Sequence, residues 1–187
     1  MAEEEIKKKK KVWVKIVGPK DFKNNELGES YVNEPNSLVG KKLKVDLAAL
    51  IGDMRKQNTF IGFIISEVSG NQAKADFISY NLSIAHIRRM IRAGKDKLEY
   101  SFVVNLKDNR KMRVKTLVLT KVKTKNSVLT AIRKGTNDYF TEFGKIGGFY
   151  EVIEKMIDGE LIKDLRATLK KVYPLSVLEI KSVELLK

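Results

Sequence analysis

Apolar and polar positions alternate along several segments of the first two thirds of the chain. Segment 12–17 alternates and ends at Gly18-Pro19, and segment 41–47 alternates with a charged outer face. Segment 60–68 is almost continuously apolar, which is typical of a strand covered on both sides. Gly70-Asn71 then predicts a hairpin turn into a returning strand. These patterns indicate a β-rich first half.

Residues 20 to 40 interrupt this pattern. They contain Asn24-Asn25, Gly28, Pro35-Asn36 and Gly40, with few apolar side chains between them. We expect a long irregular excursion here. A loop of this length in a small domain is usually functional or disordered.

A short helix follows the hairpin. Ser83 can act as its N-cap, and Ile84, Ile87 and Ile91 fall at spacings of three and four residues, which places them on one helical face. Gly94 is expected to end this basic helix.

Two alternating strands come next, and the pattern of the second one predicts which of its side chains face the core. Four apolar residues of one parity are expected to face the core: Met112, Val114, Val118 and Val122. Four cations of the other parity are expected to face outward: Arg113, Lys115, Lys121 and Lys123. A slip by one residue would bury charge. Leu117 and Leu119 would then lie on the outer face, so we expect the helical third of the chain to cover them.

The last third has helical periodicity over 127–172, with glycines separating three helices, and residues 175–186 return to a strand pattern with a phase slip near Ser182. The order predicts an α+β fold: an antiparallel β-barrel of about seven strands with flanking helices, three of them in the C-terminal third. We expect a basic disordered tail at 1–11 and a single domain at 12–187. Its barrel would comprise 12–125 and 175–186.

Five consecutive lysines, Lys7 to Lys11, lie in the N-terminal tail. Such a run repels itself and does not fold alone. Two interpretations stay open: a solvated disordered terminus, or a basic arm that becomes ordered on nucleic acid.

Charge points to the partner. The chain has 37 Lys and Arg against 23 Asp and Glu, a formal net charge of +14, and nucleic acid is the commonest partner of so basic a surface. An anionic membrane is disfavoured because neither a broad apolar amphipathic helix nor a lipidation signal is visible. Cations recur on separate elements, and we expect these to contact RNA: Lys7, Lys8, Lys9, Lys10, Lys11, Lys15, Lys42, Lys44, Arg88, Arg89, Arg92, Lys95, Arg110, Lys111, Arg113, Lys115, Lys121, Lys123, Lys125, Arg133 and Lys134.

Catalytic chemistry finds little support. The chain has no cysteine, its one histidine is His86, and the motifs for phosphate, dinucleotide or zinc binding are missing. We assign no catalytic residue, metal or cofactor and expect a protein that is not an enzyme. We expect Trp13, Tyr139 and Phe140 to pack in the core, and we predict no exposed aromatic platform for stacking bases.

Six segments, in order along nearly the whole chain, resemble the archaeal and eukaryotic small-subunit ribosomal protein family S-three-Ae, also called eukaryotic-type S-one. They are Lys11–Val14, Val45–Leu50, Ile65–Asn71, Thr120–Asn126, Met156–Gly159 and Val172–Leu175. No one segment is a specific motif, and their succession at compatible spacing carries the resemblance.

The resemblance implies a central β-barrel and a cytoplasmic, ribosomal location on the platform of the small subunit, near the messenger exit and the 3′ end of the ribosomal RNA. It implies small-subunit ribosomal RNA, neighbouring platform proteins and messenger RNA near the exit as partners, and no catalysis. Eukaryotic members continue beyond the last strand, so a chain ending at Lys187 fits a short archaeal-type member. A free regulatory RNA-binding module outside the ribosome is the alternative function.

Overall fold

Strands and helices follow one another in an order close to the prediction. The computed structural model describes residues 11–19 and 25–186. Within these residues, the strands are β1 (Val12–Val17), β2 (Glu26–Val32), β3 (Lys42–Asp46), β4 (Thr59–Ser69), β5 (Gln72–Leu82), β6 (Lys97–Asn105), β7 (Lys111–Thr120) and β8 (Leu175–Leu186). The helices are α1 (Leu47–Ile51), α2 (Ile84–Met90), α3 (Asn126–Ile146), α4 (Phe149–Asp158) and α5 (Glu160–Lys170). Two short 3-10 helices, Pro35–Leu38 and Met54–Lys56, lie in loops.

The chain divides into two compact units. In the described part, the first unit comprises residues 11–57 and 61–78, and the second comprises residues 58–60 and 79–186. Strands β4 and β5 each contribute residues to both units. The expected single domain, with its barrel and helical segments, stays a prediction.

In the first unit, β1 pairs antiparallel with β2 and parallel with the start of β5. Strand β3 pairs with β4, and β4 pairs with β5. The buried side chains of β1 are Val14 and Ile16, and Phe63 packs edge-on against Phe77 with ring centroids 6.4 Å apart. The expectation of a purely antiparallel sheet is wrong, because β1 runs in the same direction as the strand Gln72–Leu82 beside it.

Strand β2 lies inside the stretch that we expected to be irregular, so that expectation is wrong for Glu26–Val32. The sequence ELGESYV has few apolar residues because β2 contributes little to the core, and backbone pairing with β1 holds it. Residues 20–24 of the same stretch lie outside the described residues. Helix α1 was also missed. Asp46 accepts a hydrogen bond from the Ala48 backbone N–H at 3.0 Å and caps it, and Gly52 ends it with φ 79°.

The second unit contains an antiparallel sheet in which the end of β5 pairs with β8, β8 with β7, and β7 with β6. Lys115 pairs with Ser182 and Thr116 with Ile180, so Lys181 is the extra residue of a bulge. The phase slip predicted near Ser182 is therefore confirmed. The bulge lets β8 keep both Ile180 and Val183 buried.

The two faces of β7 are both covered over its second half, by different elements. Met112, Val114 and Val118 are buried, as predicted, on the face that also carries Phe102. On that face the ring of Phe140 from α3 lies 5.0 Å from the ring of Phe102. The helical third of the chain therefore packs on this face of the sheet.

Two details of the β7 prediction are wrong. Leu117 and Leu119 are buried on the other face, as expected, but they pack with Ile87 of α2 and not with the helical third. Val122 is 58% exposed, because β7 ends at Thr120 and the alternation ends with it. In α2 itself only Ile87 is buried. Ile84, its first residue, is exposed, and so is Ile91, which lies beyond its last residue, Met90.

The predicted helical third is confirmed. Helix α3 buries Ile132, Thr136 and Phe140 at four-residue spacing. Helix α5 buries Leu161, Leu165 and Leu169 at the same spacing. Among the described residues the strand pairings do not close into a ring. The α+β class is confirmed, and the closed barrel stays a prediction.

Candidate nucleic-acid interface

Strand β7 displays a row of cations over its first half. Lys111 and Arg113 are exposed, and Lys115 is half-buried. They share a face because side chains of the same parity lie on one side of a strand. The regular register with β6 keeps that alternation intact through Leu117 and Leu119. The cations of β7 therefore lie on the same face as the two leucines that α2 covers.

Helix α2 extends this basic face. Its inner side buries Ile87 against Leu117 and Leu119, with Leu82, Met90 and Val177 packed around them. Its other side exposes Arg88 and Arg89, and Arg92 is exposed just beyond its last residue. We call these six cations the β7–α2 surface: Arg88, Arg89, Arg92, Lys111, Arg113 and Lys115.

Carboxylates neutralise some of the cations on this face. Lys115 Nζ lies 3.2 Å from Glu184 Oε1. Lys181 and Lys97 lie 3.0 Å and 3.2 Å from the carboxylate oxygens of Glu99. The hydrogen bond from Lys181 is the main reason that the pKa of Glu99 is lowered, and Lys97 adds to it. Because Lys97, Lys115 and Lys181 form these salt bridges, the net positive charge of this face comes mainly from the other cations.

The remaining cations of the β7–α2 surface have few internal partners. Arg89 donates a hydrogen bond from Nη2 to Asn58 Oδ1 at 3.1 Å, which orients its guanidinium. In the described part of the chain, Arg88, Arg92, Lys111 and Arg113 form no salt bridge. Because guanidinium groups match phosphate oxygens in two parallel hydrogen bonds, these side chains are suited to a polyanion.

Other predicted cations of the second unit lie elsewhere. Lys95 donates to Ser176 Oγ, and the Arg110 guanidinium lies 5.4 Å from the ring centre of Phe149. Lys121, Lys123 and Lys125 are exposed in the connection between β7 and α3. Arg133 and Lys134 are exposed on α3, the helix that covers the opposite face of the sheet. The structure therefore separates this last pair from the β7–α2 surface.

In the first unit the predicted cations are more dispersed. Lys11 is exposed, and its Nζ lies 5.5 Å from the ring centre of Tyr31. Lys15 Nζ lies 3.0 Å from Glu26 Oε1, and this hydrogen bond is the largest cause of the raised pKa of Lys15. Lys42 and Lys44 are exposed on β3. Residues Lys7 to Lys10 lie outside the described residues.

An exposed aromatic pair, which we did not predict, lies beside Lys11. Trp13 is 59% exposed and Tyr31 51% exposed, with ring centroids 4.8 Å apart and planes tilted by 32°. The prediction of a core position is therefore wrong for Trp13, although it is confirmed for Phe140, while Tyr139 is half-buried. The prediction that no exposed aromatic pair exists is wrong as well. In the sequence, Trp13 has the same parity as Lys15, and this could have indicated that Trp13 faces outward. Its pairing with Tyr31 could not be predicted, because β2 was not predicted.

The described residues add two observations. They contain no group of three or more His, Asp or Glu side chains placed to hold a metal ion. They also contain no helix whose length and apolar character would let it cross a membrane. His86 is half-buried on α2.

The fold and the site define an α+β protein with a basic surface built on one face of an antiparallel sheet. Comparison with known proteins gives the family: residues 3–187 match the model of the Ribosomal S3Ae family, and the chain belongs to it. Similar proteins include three named small ribosomal subunit protein eS1. That of Methanobrevibacter smithii is 33% identical over 92% of this chain and 89% of its own length. That of Nanoarchaeum equitans is 32% identical over 89% and 84%, and that of Halorubrum lacusprofundi 30% identical over 99% and 87%.

Proposed function

We propose that this protein is a structural constituent of the small ribosomal subunit and binds small-subunit ribosomal RNA through the β7–α2 surface. Two kinds of evidence support the proposal. The chain belongs to the Ribosomal S3Ae family, and its relatives carry the name of a small-subunit protein. Its net charge of +14 gives it the long-range electrostatic attraction to RNA that a protein of the small ribosomal subunit uses.

One observation carries the choice of surface. The packing of Ile87 on Leu117 and Leu119 places α2, with its arginines, on the face of the sheet that also carries Lys111 and Arg113. Two elements that are distant in sequence thus present cations together, and these cations are not neutralised by the carboxylates of the described residues. Phosphate contacts of this kind position a protein on RNA without reading its sequence.

The family resemblance supports a finer location. We propose a place on the platform of the small subunit, near the messenger exit and the 3′ end of the ribosomal RNA, in cytoplasmic ribosomes. Messenger RNA and neighbouring platform proteins would be further partners, the latter on the outward sides of α3 to α5. We also propose that the strands close into the β-barrel that the resemblance implies. The role is architectural, with no catalytic step.

Competition for incorporation into particles tests the proposal. A tagged variant with Lys111→Glu and Arg113→Glu is expressed beside the untagged protein, and both are quantified in small subunits isolated by sedimentation after a high-salt wash. The matched control carries Arg133→Glu and Lys134→Glu, the same change of charge on the opposite layer. We expect the first variant to be strongly depleted from particles and the control to be incorporated nearly as well as the parent.

Two outcomes would contradict the proposal. Equal incorporation of both variants would show that the β7–α2 surface is not the RNA side. Absence of the parent protein from washed small subunits, with RNA binding retained, would favour the alternative of a regulatory RNA-binding module outside the ribosome.

A further inference from the structure

Trp13 lies outside the β7–α2 surface, and the exposure of its side chain needs an explanation. Strand β1 buries Val14 and Ile16, so the alternation of the strand turns Trp13 outward. A large aromatic side chain that stays mostly exposed loses the free energy that burial would provide. Tyr31 lies directly opposite it in the register with β2, so the two rings form one platform on the outer face.

Charge around the platform indicates what could cover it. Glu26 and Glu29 both lie on β2, and Nζ of Lys15 lies 3.0 Å and 4.0 Å from their carboxylate oxygens. Lys11 lies at the other end of the platform, over the ring of Tyr31, and four more lysines precede it directly in the sequence. The platform therefore combines an accessible indole with an adjoining lysine ammonium group.

We infer that Trp13 and Tyr31 stack an unpaired RNA base while Lys11 contacts the phosphate next to it. Aromatic side chains beside a basic track are the means by which proteins hold single-stranded nucleic acid, because every base has a face to stack and every nucleotide has a phosphate. The inference deepens the proposed RNA-binding function by adding single-stranded RNA as a ligand of the first unit. It does not depend on which face of the second unit binds ribosomal RNA.

Trp13 is the only tryptophan of the chain, so tryptophan emission reports this site alone. The probes are oligoadenylate, which offers bases and phosphates, and inorganic polyphosphate of matched charge, which offers charge alone. We expect oligoadenylate to quench the emission of Trp13 by stacking on the indole. We expect polyphosphate to compete for binding without comparable quenching.

Variants separate stacking from charge. Measured by filter binding of labelled oligoadenylate, Trp13→Ala and Tyr31→Ala should each weaken binding by roughly 5- to 150-fold, the range for loss of one stacked base, with an unchanged dependence on salt. Lys11→Ala should lower the salt slope by about one unit, because one phosphate contact is lost. Tyr31→Phe should bind like the parent. Tyr150→Ala is the matched control, since Tyr150 is also exposed beside a cation, Arg110, at 5.6 Å.

The outcomes decide between base stacking and other uses of the platform. Equal quenching by oligoadenylate and polyphosphate, or unchanged affinity in both alanine variants, would overturn the inference. So would quenching that occurs only in assembled particles and never with RNA, which would indicate a protein neighbour. The Lys111→Glu and Arg113→Glu variant keeps Trp13, so quenching by oligoadenylate should persist in it even if its incorporation into particles fails. The two proposals can therefore fail separately.

Discussion

Ile87 of α2 and Leu117 of β7 bury each other, with 5% and 0% of their surfaces exposed. Helix α2 has seven residues, and a helix this short is not stable by itself in water. The contact between these two side chains therefore fixes the helix on the sheet. It also fixes the distance between the arginines of α2 and the cations of β7.

Replacing Ile87 with Ala should cost about 2–5 kcal/mol of unfolding free energy, because it removes buried methyl groups and leaves a cavity above Leu117. It should also weaken RNA binding, since α2 is held less firmly. Denaturant unfolding and RNA titration measure the two effects. Ile84→Ala on the same helix is the control. Ile84 is 67% exposed, so this change should alter stability by no more than about 0.5 kcal/mol.

RNA binding should depend on salt through the cations of β7. Lys111→Ala and Arg113→Ala together should lower the salt slope of ribosomal RNA affinity by about two units, roughly one for each phosphate contact. Lys115→Ala should change the slope less, because Lys115 is already paired with Glu184. The pair Arg133→Ala and Lys134→Ala is the control on the opposite layer. A slope that changes equally in the two double variants would assign RNA contacts to both faces.

Gly144→Ala should destabilise the second unit. A Cβ at this position of α3 would collide with Val104 Cγ1 and lie 2.8 Å from the backbone oxygen of Asn105. Overpacking of this kind costs about 1–3 kcal/mol, which exceeds the gain of up to about 1 kcal/mol from replacing a helical glycine. Thermal unfolding measures the difference. Gly135→Ala on the same helix meets only the flexible end of Leu169, at 3.1 Å, and should be neutral or stabilising.

Glu179 should make stability fall with rising pH. Burial is the main cause of the raised pKa of Glu179, and the charge of Arg166 offsets part of it. Above the ordinary carboxyl pKa of about 4.3, the folded state holds a proton that the unfolded state has lost. The free energy of unfolding therefore falls as the pH rises from that value through the raised pKa of Glu179. Glu179→Gln should therefore be more stable than the parent at neutral pH, by a margin that shrinks on acidification.

Glu99→Gln provides the opposite control. Because Lys181 and Lys97 lower the pKa of Glu99, its carboxylate stabilises the fold above the ordinary carboxyl range and loses that contribution as pH falls through the lowered pKa. This variant should be less stable than the parent at neutral pH and approach it in acid. Unfolding curves that respond to pH in the same way for both variants would contradict the assignment of burial to Glu179.

The cations of the candidate site were predictable from sequence one element at a time, but their grouping was not. The alternation of β7 placed Arg113 and Lys115 on the outer face without knowledge of any partner. Whether Arg88 or Arg133 would join them depended on which helix covers which face of the sheet. That choice is made by contacts between residues far apart in the chain, such as Ile87 with Leu117, and by Phe102 with Phe140 on the other side.

Local pattern determined most of the elements. Alternation, one continuous apolar run and helical spacing specified seven of the strands and the helical third, because these patterns report which side chains a strand or helix can bury. The same rule failed for β2, whose sequence ELGESYV buries little and which forms through backbone pairing with β1. It failed for Val122 as well, since nothing in the alternation marks the end of β7 at Thr120.

By itself, the sequence determined a basic α+β protein, the outward direction of its β7 cations and its resemblance to a ribosomal family. The tertiary structure alone decided that α2 covers Leu117 and that Trp13 meets Tyr31 on an exposed face. The physical reason is the same in both cases. A periodic pattern fixes the side of an element on which a residue lies, whereas the neighbour on that side is supplied by long-range packing.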